Sequence, residues 1–154
     1  MAFHIVLVEP EIPANTGNIS RTCAATGTCL HLVRPLGFST DDKILKRAGL
    51  DYWSSLKLEY HDSFEEVRFL YPNRRFFFAT TKADKTYTDF AFQDGDFFVF
   101  GKETRGLNEN ILLANPETCM RIPMGDDIRS LNLSNSAAIV LYEGLRQIGF
   151  KGLH

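Results

Sequence analysis

Cysteine is scarce in this chain of 154 residues: Cys23, Cys29 and Cys119 are an odd number, and no two stand in a Cys-x-x-Cys spacing. A disulfide framework and a thiolate zinc site are both disfavoured. The four histidines, His4, His31, His61 and His154, make no ligand-like cluster along the sequence, so no metal is expected. No apolar run approaches the roughly 18 residues that cross a bilayer, which argues against a membrane partner. The opening Met1-Ala2-Phe3-His4-Ile5-Val6 enters a strand pattern without a basic region or cleavage site, and a soluble cytoplasmic protein is expected. Gly-x-Gly-x-x-Gly is missing after the first strand pattern, and the second ends in Val33-Arg34-Pro35 without an acidic residue. Both absences disfavour a Rossmann dinucleotide site. Positive charge is not in excess either, since 17 Lys and Arg face 19 Asp and Glu for a net charge of −2. A protein coated in positive potential is excluded, whereas local basic patches that displace counterions from RNA are not.

What is present is a core. Hydrophobic residues make up 44% of the chain and 13 are Phe, enough for one domain spanning 1–154 with no separate substrate-recognition unit. Apolar runs at Phe3–Val8, Cys29–Val33, Leu56–Tyr60, Arg75–Thr80, Asp96–Phe100 and Cys119–Ile122 read as short strands. Several are almost continuous, which predicts strands buried on both faces of a mostly parallel sheet. Helix signals alternate with them: Asn15 and Thr16 before Ile19–Ala25, Ser39-Thr40-Asp41-Asp42 before Ile44–Ala48, and Ser63-Phe64-Glu65-Glu66 before Val67–Tyr71. In a last helix, Leu133, Ala137, Val140, Leu141, Gly144 and Ile148 share one face, with Gly149 placed for a left-handed cap. The class expected is α/β, with helices flanking the sheet and ligands in the loops beyond the carboxyl ends of the strands.

Three such loops concentrate polar groups. The first, Glu9-Pro10-Glu11-Ile12-Pro13-Ala14-Asn15-Thr16-Gly17-Asn18, leads to Arg21, and Asn15 to Asn18 are expected to open a helix whose free N–H groups face a polar ligand. The second, Phe100-Gly101-Lys102-Glu103-Thr104-Arg105-Gly106-Leu107, pairs two glycines that permit close approach with a carboxylate able to attract a cationic ligand. The third, Ile122-Pro123-Met124 through Arg129-Ser130-Leu131-Asn132, mixes hydrogen-bonding groups with apolar walls before the last helix. Taken singly, Arg21 reads as a solvated charge, Gly101 to Gly106 as a turn, and Asn132 or Ser130 as a helix cap. Their convergence predicts one shared pocket.

Together these segments resemble the motifs of the SPOUT superfamily, specifically its small tRNA 2′-O-methyltransferases acting on the wobble nucleotide. The likeness extends from Ile5 to Gly152 and takes in Gly37-Phe38, Lys46 to Tyr52, Tyr142-Glu143 and Arg146-Gln147. Two positions depart from it: Lys102 and Asn108 stand where such proteins often carry Pro.

The resemblance implies a C-terminal trefoil knot, an exception to the rule that chains avoid threading. It implies S-adenosylmethionine as cofactor, surrounded by Ala79, Thr80, Gly101, Glu103, Ile122, Met124, Ser130 and Leu131. Arg21 would be the catalytic residue at the ribose 2′-hydroxyl, although a guanidinium is an awkward general base. The implied reaction transfers methyl to the 2′-hydroxyl of cytidine or modified uridine at position 34, without a metal. A homodimer is expected to dock the tRNA anticodon stem-loop, with Lys43, Lys46, Arg47, Arg105 and Arg129 as phosphate contacts or as ordinary solvated charges. The alternatives are 2′-O-methylation of another tRNA or rRNA nucleotide, and a non-catalytic RNA-binding protein on the same fold.

Overall fold

The computed structural model describes residues 1–39, 43, 47 and 54–154. Among the described residues six strands are formed: β1 (His4–Val8), β2 (Cys29–Val33), β3 (Lys57–His61), β4 (Phe76–Ala79), β5 (Phe97–Phe100) and β6 (Cys119–Met120). They pair in the order β3-β2-β1-β5-β4-β6, and every pairing is parallel. All six strands read from the sequence are found; β6 is shorter than expected.

The central strands are buried on both faces because residues alternate between two cores. Ile5, Leu7, Leu30, Leu32, Phe77, Phe98 and Phe100 face one side. There they meet α1 (Pro13–Thr26) and a long helix near the C-terminus, Leu133–Gln147, which contribute Ile19, Cys23, Ala137, Val140 and Leu141. Val6, Val8, Val33, Phe76, Phe78, Phe97 and Val99 face the other side. They pack with Phe64 and Val67 of α2 (Phe64–Leu70) and with Ile111 and Leu112 of α3 (Glu109–Ala114). The long helix is α4.

Local rules set several boundaries. Ser63 accepts from the Glu66 N–H at 3.1 Å, capping α2 as its sequence suggests. Asn132 caps α4, and Gly149 follows that helix at φ 72°, where a side chain would be strained. Helix α3, unforeseen in the sequence, is six residues long, too short for a periodic pattern, and is capped by Asn108. The helix expected over Ile44–Ala48, with its Ser39 to Asp42 start, lies outside the described residues except for Ser39 and the isolated 43 and 47. Among the described residues no helix is long and apolar enough to cross a membrane.

One expectation from the sequence is overturned. His4, His31 and His61, separated by 27 and 30 positions, do form a cluster, with His4 Nδ1 2.8 Å from His31 Nε2 and His31 Nδ1 2.9 Å from His61 Nε2. Parallel register hides this from the linear sequence: His4 pairs with Cys29, His31 with Glu59 and His61 with Val33, so the three rings climb one sheet face diagonally.

Candidate active site

The loops that follow β1, β4, β5 and β6 meet at the carboxyl end of the sheet. Helix α1 begins at Pro13, two residues before the Asn15 start read from the sequence, and its N-cap position, Ile12, has no side chain able to cap it. Proline suits the first turn because its missing N–H would be unpartnered there anyway. The cap comes from a distant loop. Glu103 Oε1 accepts from the Glu11 N–H at 2.8 Å, and Oε2 accepts from the Ile12 N–H at 2.9 Å and from Asn15 Nδ2 at 3.2 Å. An acidic group at a helix N-terminus also meets the positive end of the helix dipole.

The wiring continues into the third loop. Asn132 Nδ2 donates to Asn15 Oδ1 at 3.1 Å, while Asn132 Oδ1 accepts from the Ser134 N–H at 2.9 Å and the Asn135 N–H at 3.3 Å. One chain of hydrogen bonds, Glu103 to Asn15 to Asn132 to the first turn of α4, therefore ties all three loops together.

Loop geometry depends on two glycines. Gly106 takes φ 70° and its N–H donates to the Lys102 carbonyl at 2.8 Å, closing a tight turn. A Cβ on Gly101 would lie 2.1 Å from the Gly106 carbonyl carbon, so only glycine fits. Thr104 donates to Glu11 Oε1 from its N–H at 3.0 Å and from its hydroxyl at 2.8 Å. Those two bonds hold the Glu11 carboxyl below the ordinary carboxylate range.

Between these loops lies a cavity of about 570 Å³, within the range of roughly 300–1,000 Å³ usual for small-molecule sites. Ala79, Thr80, Gly101, Glu103, Ile122, Met124, Ser130 and Leu131 all line it. Ile122, Met124, Leu131 and Leu107 give it apolar walls, while Thr80, Ser130 and the backbone of the Gly101 loop supply polar groups. Glu103 is in the wall, but its oxygens are occupied by the α1 N-terminus, so its carboxylate acts as scaffold rather than as a free anion for a cationic ligand.

Arg21 is exposed on α1 and does not line this cavity. Arg105 and Arg129 stand at the rim; Lys43 and Arg47 are exposed and outside it, and Lys46 lies outside the described residues. Sequence reading missed Thr81, Lys82, Leu112 and Ser136, which also line the cavity. The signal for the first two was available, since Thr80-Thr81-Lys82 directly follows strand β4, as a ligand loop should. Nothing in the sequence marks Leu112, which reaches the site from the unforeseen α3.

The profile of the SpoU rRNA Methylase family matches residues 2–142. The chain belongs to the SpoU rRNA Methylase family. This SpoU-family chain is 56% identical over 151 residues to the tRNA (cytidine(34)-2′-O)-methyltransferase of Methylovorus glucosotrophus, covering 97% of the chain and 98% of that relative. A solved structure described as "Structural insights into the 2-OH methylation of C/U34 on tRNA" superposes with a TM-score of 0.91 at 42% identity, covering 97% of the chain and 98% of its counterpart. The SpoU methyltransferase AviRb from Streptomyces viridochromogenes, solved in complex with AdoMet, superposes with a TM-score of 0.86 at 25% identity, covering 96% of this chain and 60% of that one. The SpoU-family cavity fits such a cofactor on its own terms: it is large enough, and it has apolar walls beside the polar backbone of the Gly101 loop.

Proposed function

We propose that this protein is an S-adenosylmethionine-dependent RNA methyltransferase that methylates the ribose 2′-hydroxyl of the wobble nucleotide, cytidine or uridine at position 34, of tRNA. The observation that carries this reading is the convergence of three motif loops on one cavity, tied together through Glu103, Asn15 and Asn132. Full-length likeness to a tRNA (cytidine(34)-2′-O)-methyltransferase supports the choice of target. Action on tRNA in turn favours the cytoplasm as its location.

In this reading Ala79, Thr80, Gly101, Ile122, Met124, Ser130 and Leu131 hold the cofactor by apolar contact and backbone hydrogen bonds, and Glu103 fixes the Gly101 loop against the start of α1. When bound, the cofactor supplies an electrophilic methyl on a sulfonium that departs as a neutral thioether. The protein's own contribution is to hold the hydroxyl in line and to exclude water. The C-terminal knot belongs to the same reading: the 122–132 segment runs beside the 79–82 and 101–107 loops around the cavity.

Arg21 is proposed to orient the ribose hydroxyl. Its place on the exposed side of α1, outside its own cavity, favours a homodimer in which it serves the partner's cavity. The whole chain then acts as one domain, and Arg105 and Arg129 at the rim meet RNA phosphates. Arg21→Ala should abolish methyl transfer while calorimetry shows cofactor affinity near that of the wild type; retained turnover removes Arg21 from the mechanism. Nucleoside mass spectrometry of tRNA from cells with and without the protein tests the function itself. Loss of 2′-O-methylation at position 34 alone is expected, and an unchanged position 34 contradicts it.

A further inference from the structure

We infer that His31, Glu59 and His61 form a binding site for one zinc-class divalent cation, a structural clamp between β2 and the edge strand β3. Among the described residues these three each offer a ligand atom within 4.8 Å of the others. None of them lines the methyl-transfer cavity, so the inference stands apart from the proposed reaction.

Geometry carries it. His31 Nδ1 and His61 Nε2 are 2.9 Å apart, and Glu59 Oε1 is 3.7 Å from each. A point equidistant from three atoms so spaced lies about 2.0 Å from each, the length of a zinc–imidazole bond. A tetrahedral site with such bonds sets its ligand atoms about 3.3 Å apart, so the pairs adjust by a few tenths of an ångström. Both imidazoles are buried, whereas the Glu59 side chain is 43% exposed, which leaves a path for the ion and room for water as a fourth ligand.

The partners behind the ligands are in place as well. A metal-bound histidine ordinarily donates its other ring N–H to a carboxylate or another acceptor, which fixes its orientation. His31 Nε2 faces His4 Nδ1 at 2.8 Å, and His61 Nδ1, which has no hydrogen-bond partner among the described residues, faces Glu66 Oε1 at 3.4 Å. Glu59 Oε2 accepts from the Tyr71 hydroxyl at 2.6 Å, leaving Oε1 directed at the two rings. Each ring keeps one proton when the ion enters. The hydrogen between His31 and His61 shifts along the stack by tautomer exchange, and no net proton is released.

The test uses the full chain, stripped with chelator, dialysed against zinc alone and assayed for bound metal, with thermal unfolding followed in parallel. One zinc per chain and a higher Tm with zinc than with chelator are expected. Glu59→Gln, conservative and half exposed, should abolish stoichiometric binding, and Tyr71→Phe should weaken it about 10- to 100-fold, with methyl transfer unchanged in both. No bound zinc at micromolar concentration, or binding that survives both Glu59→Gln and His61→Asn, overturns the site and leaves the histidines as a hydrogen-bonded stack.

Discussion

Glu103 shows how far a residue's work can differ from its appearance in the sequence. In Gly-Lys-Glu-Thr-Arg-Gly it reads as a carboxylate facing a ligand; in the fold it caps a helix 88 or more positions away. A neutral amide keeps one acceptor but sets an NH2 group against backbone N–H donors. Leaving such a donor unpartnered costs about 1–3 kcal/mol. Glu103→Gln should therefore lower the unfolding free energy from chemical denaturation by that amount and weaken cofactor binding in calorimetry, because the loop it fixes also forms the cavity wall. Wild-type stability in this variant would show that the cap contributes nothing. Six of the eight cavity residues stand in the two contiguous motif loops 100–107 and 122–132, whereas Ala79 and Thr80 came only from the resemblance; the wiring that joins the loops was not legible, since Glu103, Asn15 and Asn132 meet only when three strand ends meet.

At the scale of elements, strands were the most legible because a parallel sheet buried on both faces forces continuous apolar runs such as Phe97–Phe100. Helix starts were less so. The start of α2 was set by its own Ser63 and could be read locally, whereas that of α1 is set by Glu103 from across the sequence and could not. Helix α4 packs so closely that an added Cβ on Gly144 would stand 3.0 Å from Phe3 Cζ and 3.1 Å from Phe98 Cζ. Alanine gains up to about 1 kcal/mol in helix propensity over glycine. Overpacking costs about 1–3 kcal/mol, and the two rings, buried and stacked with centroids 5.2 Å apart, have little room to yield. Overpacking wins: Gly144→Ala should lower Tm while cofactor affinity, set at the other end of α4, stays near wild type. A raised Tm would show that the helix can shift.

For the whole molecule, stability should depend on pH through the buried histidines. Burial, and then the neighbouring His31, push His4 down from 6.5 to about 3, and burial holds His31 at about 4. The folded pKa values lie below the unfolded ones, so between them the unfolded chain binds more protons and stability rises with pH. The contribution is complete above about pH 6.5 and is lost as pH falls toward 3. Each such histidine gives a slope of up to about 1.4 kcal/mol per pH unit. Urea titrations across this window should show the loss, and His4→Phe should flatten part of it; a flat profile would mean that the stack accepts protons when folded. The same sheet that buries this stack brings four strand-end loops around one cavity, and the function rests on that convergence. It is tested most directly by labelled methyl transfer to two anticodon stem-loops that differ only in a 2′-deoxyribose at position 34. The account predicts label at the ribose oxygen of the first and none in the second; equal labelling of both would contradict it.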